Sequence, residues 1–202
     1  MNTYEFHFDF GSPNAYLSHC VIPEIAARTG VKIDYIPVLL GGVFKATNNV
    51  SPMVSMQGIK NKAEYSSLET ARFVKKHSIS QFQMNPFFPV NTLQVMRAAV
   101  AAQLEGVSEA YINAIYHSMW VEPKKMDEAD IILSVLKDAG LDGEKLMEKS
   151  KDAEVKAKLI ENTTASVERG NFGSPTFFVG DEMFFGKNSL VDFEEFILEN
   201  RA

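Results

Sequence analysis

Asp9-Phe-Gly-Ser-Pro-Asn-Ala-Tyr-Leu-Ser-His-Cys20 (DFGSPNAYLSHC) is the stretch on which the organisation of the chain turns. Leading into it, Tyr4, Phe6, Phe8 and Phe10 alternate with Glu5, His7 and Asp9. An apolar period of two marks a β-strand. Ser12-Pro13 then opens a helix. Serine is a favoured N-cap, and proline suits the first helical position, where its missing N–H is not needed. The helix continues through Tyr16, Leu17, Val21, Ile25 and Ala26 to Gly30, a C-capping residue. Residues 31–39 then form a second strand, expected to end at Gly41-Gly42. Strand-helix-strand crossovers are right-handed, so the two strands should run parallel.

Beyond them the pattern changes. From about Ser51 to Arg169 helical periodicity replaces strand signals. Helices are expected over Ala63 to His77, Thr92 to Glu105, Ser108 to Met119, Glu128 to Ala139, Gly143 to Ser150 and Ala153 to Gly170. Strand character returns at Thr176 to Val179 and Met183 to Phe185, on either side of the turn Gly180-Asp181-Glu182. A last amphipathic helix runs from Ser189 to Leu198, with Phe193, Phe196 and Ile197 on one face.

Composition bounds the function. The 202 residues are 46% hydrophobic and 23% charged, enough for a full core without cross-links. The net charge of -6 argues against nucleic-acid binding, which needs a basic face. One cysteine, Cys20, leaves no intramolecular disulfide and no thiolate metal site. It reads as a small buried hydrophobe. The four histidines have no metal-ligand spacing. No apolar run reaches the roughly 18 residues of a membrane helix. The opening residues lack a basic region followed by an apolar stretch, so a cytoplasmic location is expected.

The order β-α-β, helical insert, β-β-α is that of an α/β thioredoxin-like fold with a large all-helical insertion. The expected division is a discontinuous thioredoxin-like domain, 1–45 and 165–202, around a helical domain, 46–164. In such folds a reactive Cys-x-x-Cys pair opens the first helix. Here those positions are Ser12, Pro13, Asn14 and Ala15, without sulfur. Read alone, Ser12 is an N-cap, worth about 1 kcal/mol. A helix N-terminus also favours anions, and a serine there can donate a hydrogen bond to one. The second diagnostic stretch is Gly173-Ser174-Pro175-Thr176-Phe177-Phe178. Thioredoxin-type folds place a cis-proline immediately before this strand, facing the start of the reactive helix.

Several stretches carry a closer resemblance: FHFDFGSPNAYL, LLGGVFKATNN, KNKAEY, NPFFPVNTLQVMRAA, MWVEPKKM and GSPTFFVGDEMFFGKNSL. Over nearly its whole length the chain resembles the 2-hydroxychromene-2-carboxylate isomerase family, relatives of the kappa-class glutathione transferases and of DsbA-type oxidoreductases. The resemblance implies that glutathione supplies the missing thiol and that Ser12 hydrogen-bonds its sulfur. Further glutathione contacts are implied at Asn49, with Asn48 as the near alternative. They are also implied at Lys62, three residues before Tyr65, at Ser174 with Pro175, and at Asn188 and Ser189. Relatives often carry an aspartate at the start of the terminal helix. Here the stretch is Gly186-Lys187-Asn188-Ser189, and Asn188 has no full charge to offer a ligand ammonium.

The expected activity is therefore a glutathione-dependent cis–trans isomerisation of a small aromatic substrate. The alternatives are a kappa-like transferase, which consumes glutathione, and a non-catalytic thioredoxin-fold binding protein. A disulfide oxidoreductase is excluded, because it needs two thiols at the helix start. Phe44 and Trp120, with Phe87 and Phe88, are candidates for an aromatic substrate pocket, and ordinary packing accounts for each equally well. Relatives of this kind are often dimers, so a homodimer is one assembly open to the chain.

Overall fold

The computed structural model describes residues 3–200. The chain forms β1 (Tyr4–Phe8), α1 (Pro13–Thr29), β2 (Asp34–Pro37), α2 (Leu40–Thr47), α3 (Pro52–Ser55), α4 (Lys62–Lys76), α5 (Leu93–Leu104), α6 (Ser108–Trp120), α7 (Ala129–Asp138), α8 (Gly143–Lys149) and α9 (Ala153–Glu168). It closes with β3 (Thr176–Val179), β4 (Glu182–Phe185), a 3-10 turn over Lys187–Ser189, and α10 (Leu190–Asn200). The sheet order is β2-β1-β3-β4. β1 and β2 are parallel and the other pairs antiparallel, which is the thioredoxin-like α/β arrangement. The six expected middle helices all form. Among the described residues no helix is long and apolar enough to cross a membrane.

The alternation along β1 does not separate a core face from a wet one. Phe6 stacks on Phe177, which meets Phe193 of α10. His7 points to the opposite face and is buried there too, with Nδ1 2.7 Å from Ser166 Oγ on α9 and Nε2 2.9 Å from Glu5. Burial disfavours the imidazolium and lowers the His7 pKa. Glu5 also receives the Arg169 guanidinium. The His7 hydrogen bond and, against the upward push of burial, Arg169 hold the Glu5 carboxyl at about 2. Helices thus cover both faces of a central strand. The edge of β2 is shielded by side chains: Gln103 Nε2 donates to the Tyr35 carbonyl at 2.7 Å, and Asn162 Nδ2 to that of Pro37 at 3.2 Å. Capping edge carbonyls in this way blunts an edge that could otherwise pair with another chain.

One expectation needs correcting. The second strand stops at Pro37, and Gly41-Gly42 lies inside α2 rather than in a turn. The reason is tertiary. A Cβ on Gly42 would lie 3.2 Å from Thr163 Cγ2 of α9, so glycine permits the close approach. The first N–H of α2, on Leu40, is held at 2.8 Å by the Asp9 carboxylate. The short α3 was also not foreseen.

Candidate functional site

The site is assembled where β1 hands over to α1. Ser12 has extended backbone angles and caps α1, its Oγ accepting from Ala15 N–H at 3.1 Å. Pro13 occupies the first helical position. The same Ser12 hydroxyl donates to the Ser174 carbonyl at 2.8 Å. The Ser174–Pro175 bond is cis. Ser174 Oγ in return accepts from Asp9 N–H at 3.2 Å. Two segments 162 positions apart are therefore fastened by a reciprocal pair of hydrogen bonds. Ser12 is only 4% exposed, with its hydroxyl facing the cis-proline loop. The arrangement offers a hydroxyl donor at the positive end of a 17-residue helix, which suits a small anion.

Asn49 follows the end of α2, and its Nδ2 donates at 2.8 Å to the carbonyl of Phe172, next to Gly173. It braces the cis-proline loop from outside. Asn48 is the left-handed C-cap of α2. Inside the loop Asn171 does the bracing. Its Oδ1 accepts from Gly173 N–H at 2.8 Å and Thr176 Oγ1 at 2.9 Å, and its Nδ2 donates to Ser166 Oγ at 2.7 Å. Gly173 has a steric role as well, since a Cβ there would lie 2.8 Å from the Phe185 ring.

At the start of α10 the geometry differs from the sequence-based picture. Asn188 and Ser189 do not present free donors. Asn188 Nδ2 donates to the Glu69 carboxylate of α4, and Ser189 Oγ donates to the Gly186 carbonyl at 2.8 Å. Lys187 is 3% exposed, ion-paired with Glu69, and 5.1 Å from the centroid of the Phe73 ring. Burial pushes the Glu69 carboxyl up, but bonds from Lys187 and Asn188 outweigh it and leave it below its ordinary value. A carboxylate therefore does stand beside Asn188, brought from another helix and already matched by a lysine.

Lys62 is exposed at the first position of α4. It lies seven residues before Glu69, two turns or about 10 Å away on the same helical face. Phe44 is half-buried on α2 and Phe87 is exposed. Trp120 is fully buried, and its indole N–H donates to the Phe10 carbonyl at 2.9 Å. It supports the turn before Ser12 from behind and offers no face to an open pocket. Ser12, Ser174, Pro175 and Asn49 thus converge on one loop cluster, Asn188 and Ser189 join Lys187 and Glu69, and Trp120 belongs to the core. Cys20 is half-buried rather than wholly enclosed, and burial raises its thiol pKa.

Sequence reasoning missed Asp9. Its side chain is 1% exposed and takes hydrogen bonds from Gly11 N–H and Leu40 N–H, both at 2.8 Å. Burial raises its pKa, while those backbone bonds and Thr92 pull it back. It joins the Ser12 turn, the start of α2 and Thr92, which precedes α5. A carboxylate set between Phe8 and Phe10 was the available signal.

Comparison with known proteins bears on the fold and the family. A model of the DsbA-like thioredoxin domain family matches residues 3–198. A 2-hydroxychromene-2-carboxylate isomerase of Sphingobium xenophagum is 28% identical over 200 residues, 98% of each chain. Glutathione S-transferase kappa 1 of Caenorhabditis elegans is 27% identical, covering 91% of this chain and 85% of that one. A solved structure of a 2-hydroxychromene-2-carboxylate isomerase superposes with a TM-score of 0.82 at 27% identity, over 96% of this chain and 94% of the other.

Proposed function

Because the chain belongs to the DsbA-like thioredoxin domain family yet opens α1 with serine, we propose that it is an isomerase that borrows its thiol. The reaction is glutathione-dependent cis–trans isomerisation of the 2-hydroxychromene-2-carboxylate / trans-o-hydroxybenzylidenepyruvate type, on a small aromatic substrate. The observation that carries the reading is the Ser12 hydroxyl, held at the α1 N-terminus 2.8 Å from the carbonyl before the cis-proline. Support also comes from the isomerases named among its relatives.

The residues suit such a cofactor at the sulfur end. Ser174 is half-buried, so its carbonyl can exchange the Ser12 proton for water while Ser12 turns its donor to an incoming anion. The α1 dipole favours negative charge at that point. Bound glutathione would supply a thiolate that adds to the conjugated double bond, lets it rotate as a single bond, and leaves again. Ser12 would hold that charge, the Ser174 backbone would bind the peptide-like ligand, and Asn49 and Asn171 keep the loop in place. Lys62 offers an ammonium to a carboxylate. At the other end the ligand would meet the Glu69–Lys187 pair with Asn188 and Ser189.

Calorimetric titration with reduced glutathione, on wild type and Ser12→Ala, tests the reading. One-site binding, weakened or changed in proton release by the substitution, is expected. Interconversion of the two substrate isomers should then require glutathione and leave its concentration unchanged. No binding at millimolar glutathione would overturn the proposal. The similarity to a kappa transferase favours one second reading, in which glutathione is consumed by conjugation, and the same assay separates the two.

A further inference from the structure

A buried chain of polar groups runs across the α9 face of the sheet and ends on the cis-proline loop. Glu5 and His7 of β1 stand opposite Phe178 and Thr176 of β3. The Phe178 ring lies between His7, at 4.8 Å from ring to ring, and the Arg169 guanidinium, at 3.8 Å. His7, Ser166, Asn171 and Thr176 are each at most 3% exposed, so their hydrogen bonds cannot be traded for bulk water.

The direction of these bonds is fixed from both ends. Gly173 N–H can only donate, so the Asn171 oxygen faces it, at 2.8 Å. The Asn171 amide nitrogen therefore faces Ser166 Oγ and donates to it at 2.7 Å. Ser166 carries one proton. Among the described residues its acceptor is His7 Nδ1, at 2.7 Å. At the far end the Glu5 carboxylate is ionised beside Arg169 and can only accept, so His7 Nε2 carries the ring proton that meets it at 2.9 Å. Both ends require the same state of the ring: neutral, with the proton on Nε2 and a bare Nδ1.

That bare nitrogen has a consequence at the site. Without it the Ser166 proton would be buried and unpaired, which costs more than the bond itself contributes. The hydroxyl would turn away, and Asn171 would lose the acceptor that orients its amide. Asn171 holds Gly173, the neighbour of Ser174, whose carbonyl receives the Ser12 hydroxyl at 2.8 Å.

We propose that His7 is a positioning residue for the Ser12 site, holding the segment 171–176 through Ser166 and Asn171. Its effect on glutathione binding rests on the function proposed above; its effect on the loop does not.

Two substitutions separate positioning from packing. The oxygen of an asparagine falls near the place of His7 Nδ1, and the amide nitrogen of a glutamine falls near that of Nε2. His7→Asn therefore keeps an acceptor for Ser166, whereas His7→Gln keeps only the donor to Glu5. Both lose the ring packed on Phe178, so both lose stability. Hydrogen exchange at the Gly173 amide, followed by NMR on the full chain, should be about fivefold faster in His7→Gln and near the wild-type rate in His7→Asn. Ser166→Ala, which leaves the ring in place, should speed it as His7→Gln does. Glutathione titrations should follow the same order. Ring-nitrogen NMR of the wild type should find His7 protonated at Nε2. Protonation at Nδ1, equal Gly173 rates in the two His7 variants, or an unchanged rate in Ser166→Ala would each overturn the proposal. So would equal glutathione affinity of the two His7 variants, given a wild type that binds it. A wild type that binds no glutathione would instead refute the function proposed for Ser12, and the Gly173 rates would still decide the role of His7.

Discussion

Ser12→Ala removes two defined hydrogen bonds. The first is the cap accepted from Ala15 N–H at 3.1 Å, and replacing a serine cap by alanine costs about 1 kcal/mol. The second is the bond donated to the Ser174 carbonyl at 2.8 Å. A neutral hydrogen bond nets about 1 kcal/mol, and water reaches half-buried Ser174 to offset part of that loss. The sum is about 1.5–2 kcal/mol. For a chain of this size that lowers Tm by about 3–8 °C. Ser12→Gly divides the two terms, because glycine caps within a few tenths of a kcal/mol of serine but cannot reach Ser174. It should cost about 1 kcal/mol. Urea unfolding followed by far-ultraviolet circular dichroism measures both, with m unchanged. A Ser12→Ala protein within about 0.5 kcal/mol of wild type would refute the reasoning. The hydroxyl would then be fastening neither α1 nor the cis-proline loop.

Four further outcomes are expected. Glu69→Gln leaves the buried Lys187 ammonium without its counter-charge; because Glu69 is partly exposed, a loss of about 1–3 kcal/mol is expected in thermal or urea unfolding. Tyr116→Phe deletes a buried hydroxyl that has no partner and should stabilise the protein by about 1 kcal/mol in the same assay. Acid should weaken the fold through a buried imidazole in addition to its carboxylates. His19 is held down to about 4 by burial, so between pH 6.5 and 4 the unfolded chain binds a proton that the native one refuses, and stability falls with pH by up to about 3 kcal/mol. His19→Gln should flatten that slope in a pH series of urea midpoints, while buried His7 keeps a smaller part of it. Asn49→Ala, which frees the Phe172 carbonyl, should cost no more than about 1 kcal/mol of stability while weakening glutathione binding in calorimetry.

Much of the scaffold was legible because its signals are local. The alternation of Tyr4, Phe6 and Phe8, the Ser12-Pro13 start, the Gly30 stop and the hairpin around Gly180-Asp181 each lie within a few residues of the feature they specify. Ser12 and Ser174-Pro175 could be named for the same reason: one is a helix cap and the other a strand entry. Gly41-Gly42 misled because glycines are usual breaks. Gly42 is used inside α2 for its close approach to Thr163, and the helix start is held by the Asp9 carboxylate, neither of which is near in sequence. Beside the neutral Asn188 stands the Glu69 carboxylate, 119 positions away and already paired with Lys187.

Sequence alone therefore determined the strand order along the chain, the first helix, the six helices from α4 to α9 and the last one, the missing thiol pair and the helix start that faces the cis-proline loop. Tertiary structure decided which polar groups meet. It set Asp9 against Leu40, Lys187 against Glu69 and His7 against Ser166, and it made Trp120 a buried prop. Periodicity reports only the face on which a side chain stands. Its partner, its burial and its charge state depend on what the rest of the chain brings against that face, and the His7–Ser166, Ser12–Ser174, Trp120–Phe10 and Lys187–Glu69 contacts each join residues a hundred or more positions apart.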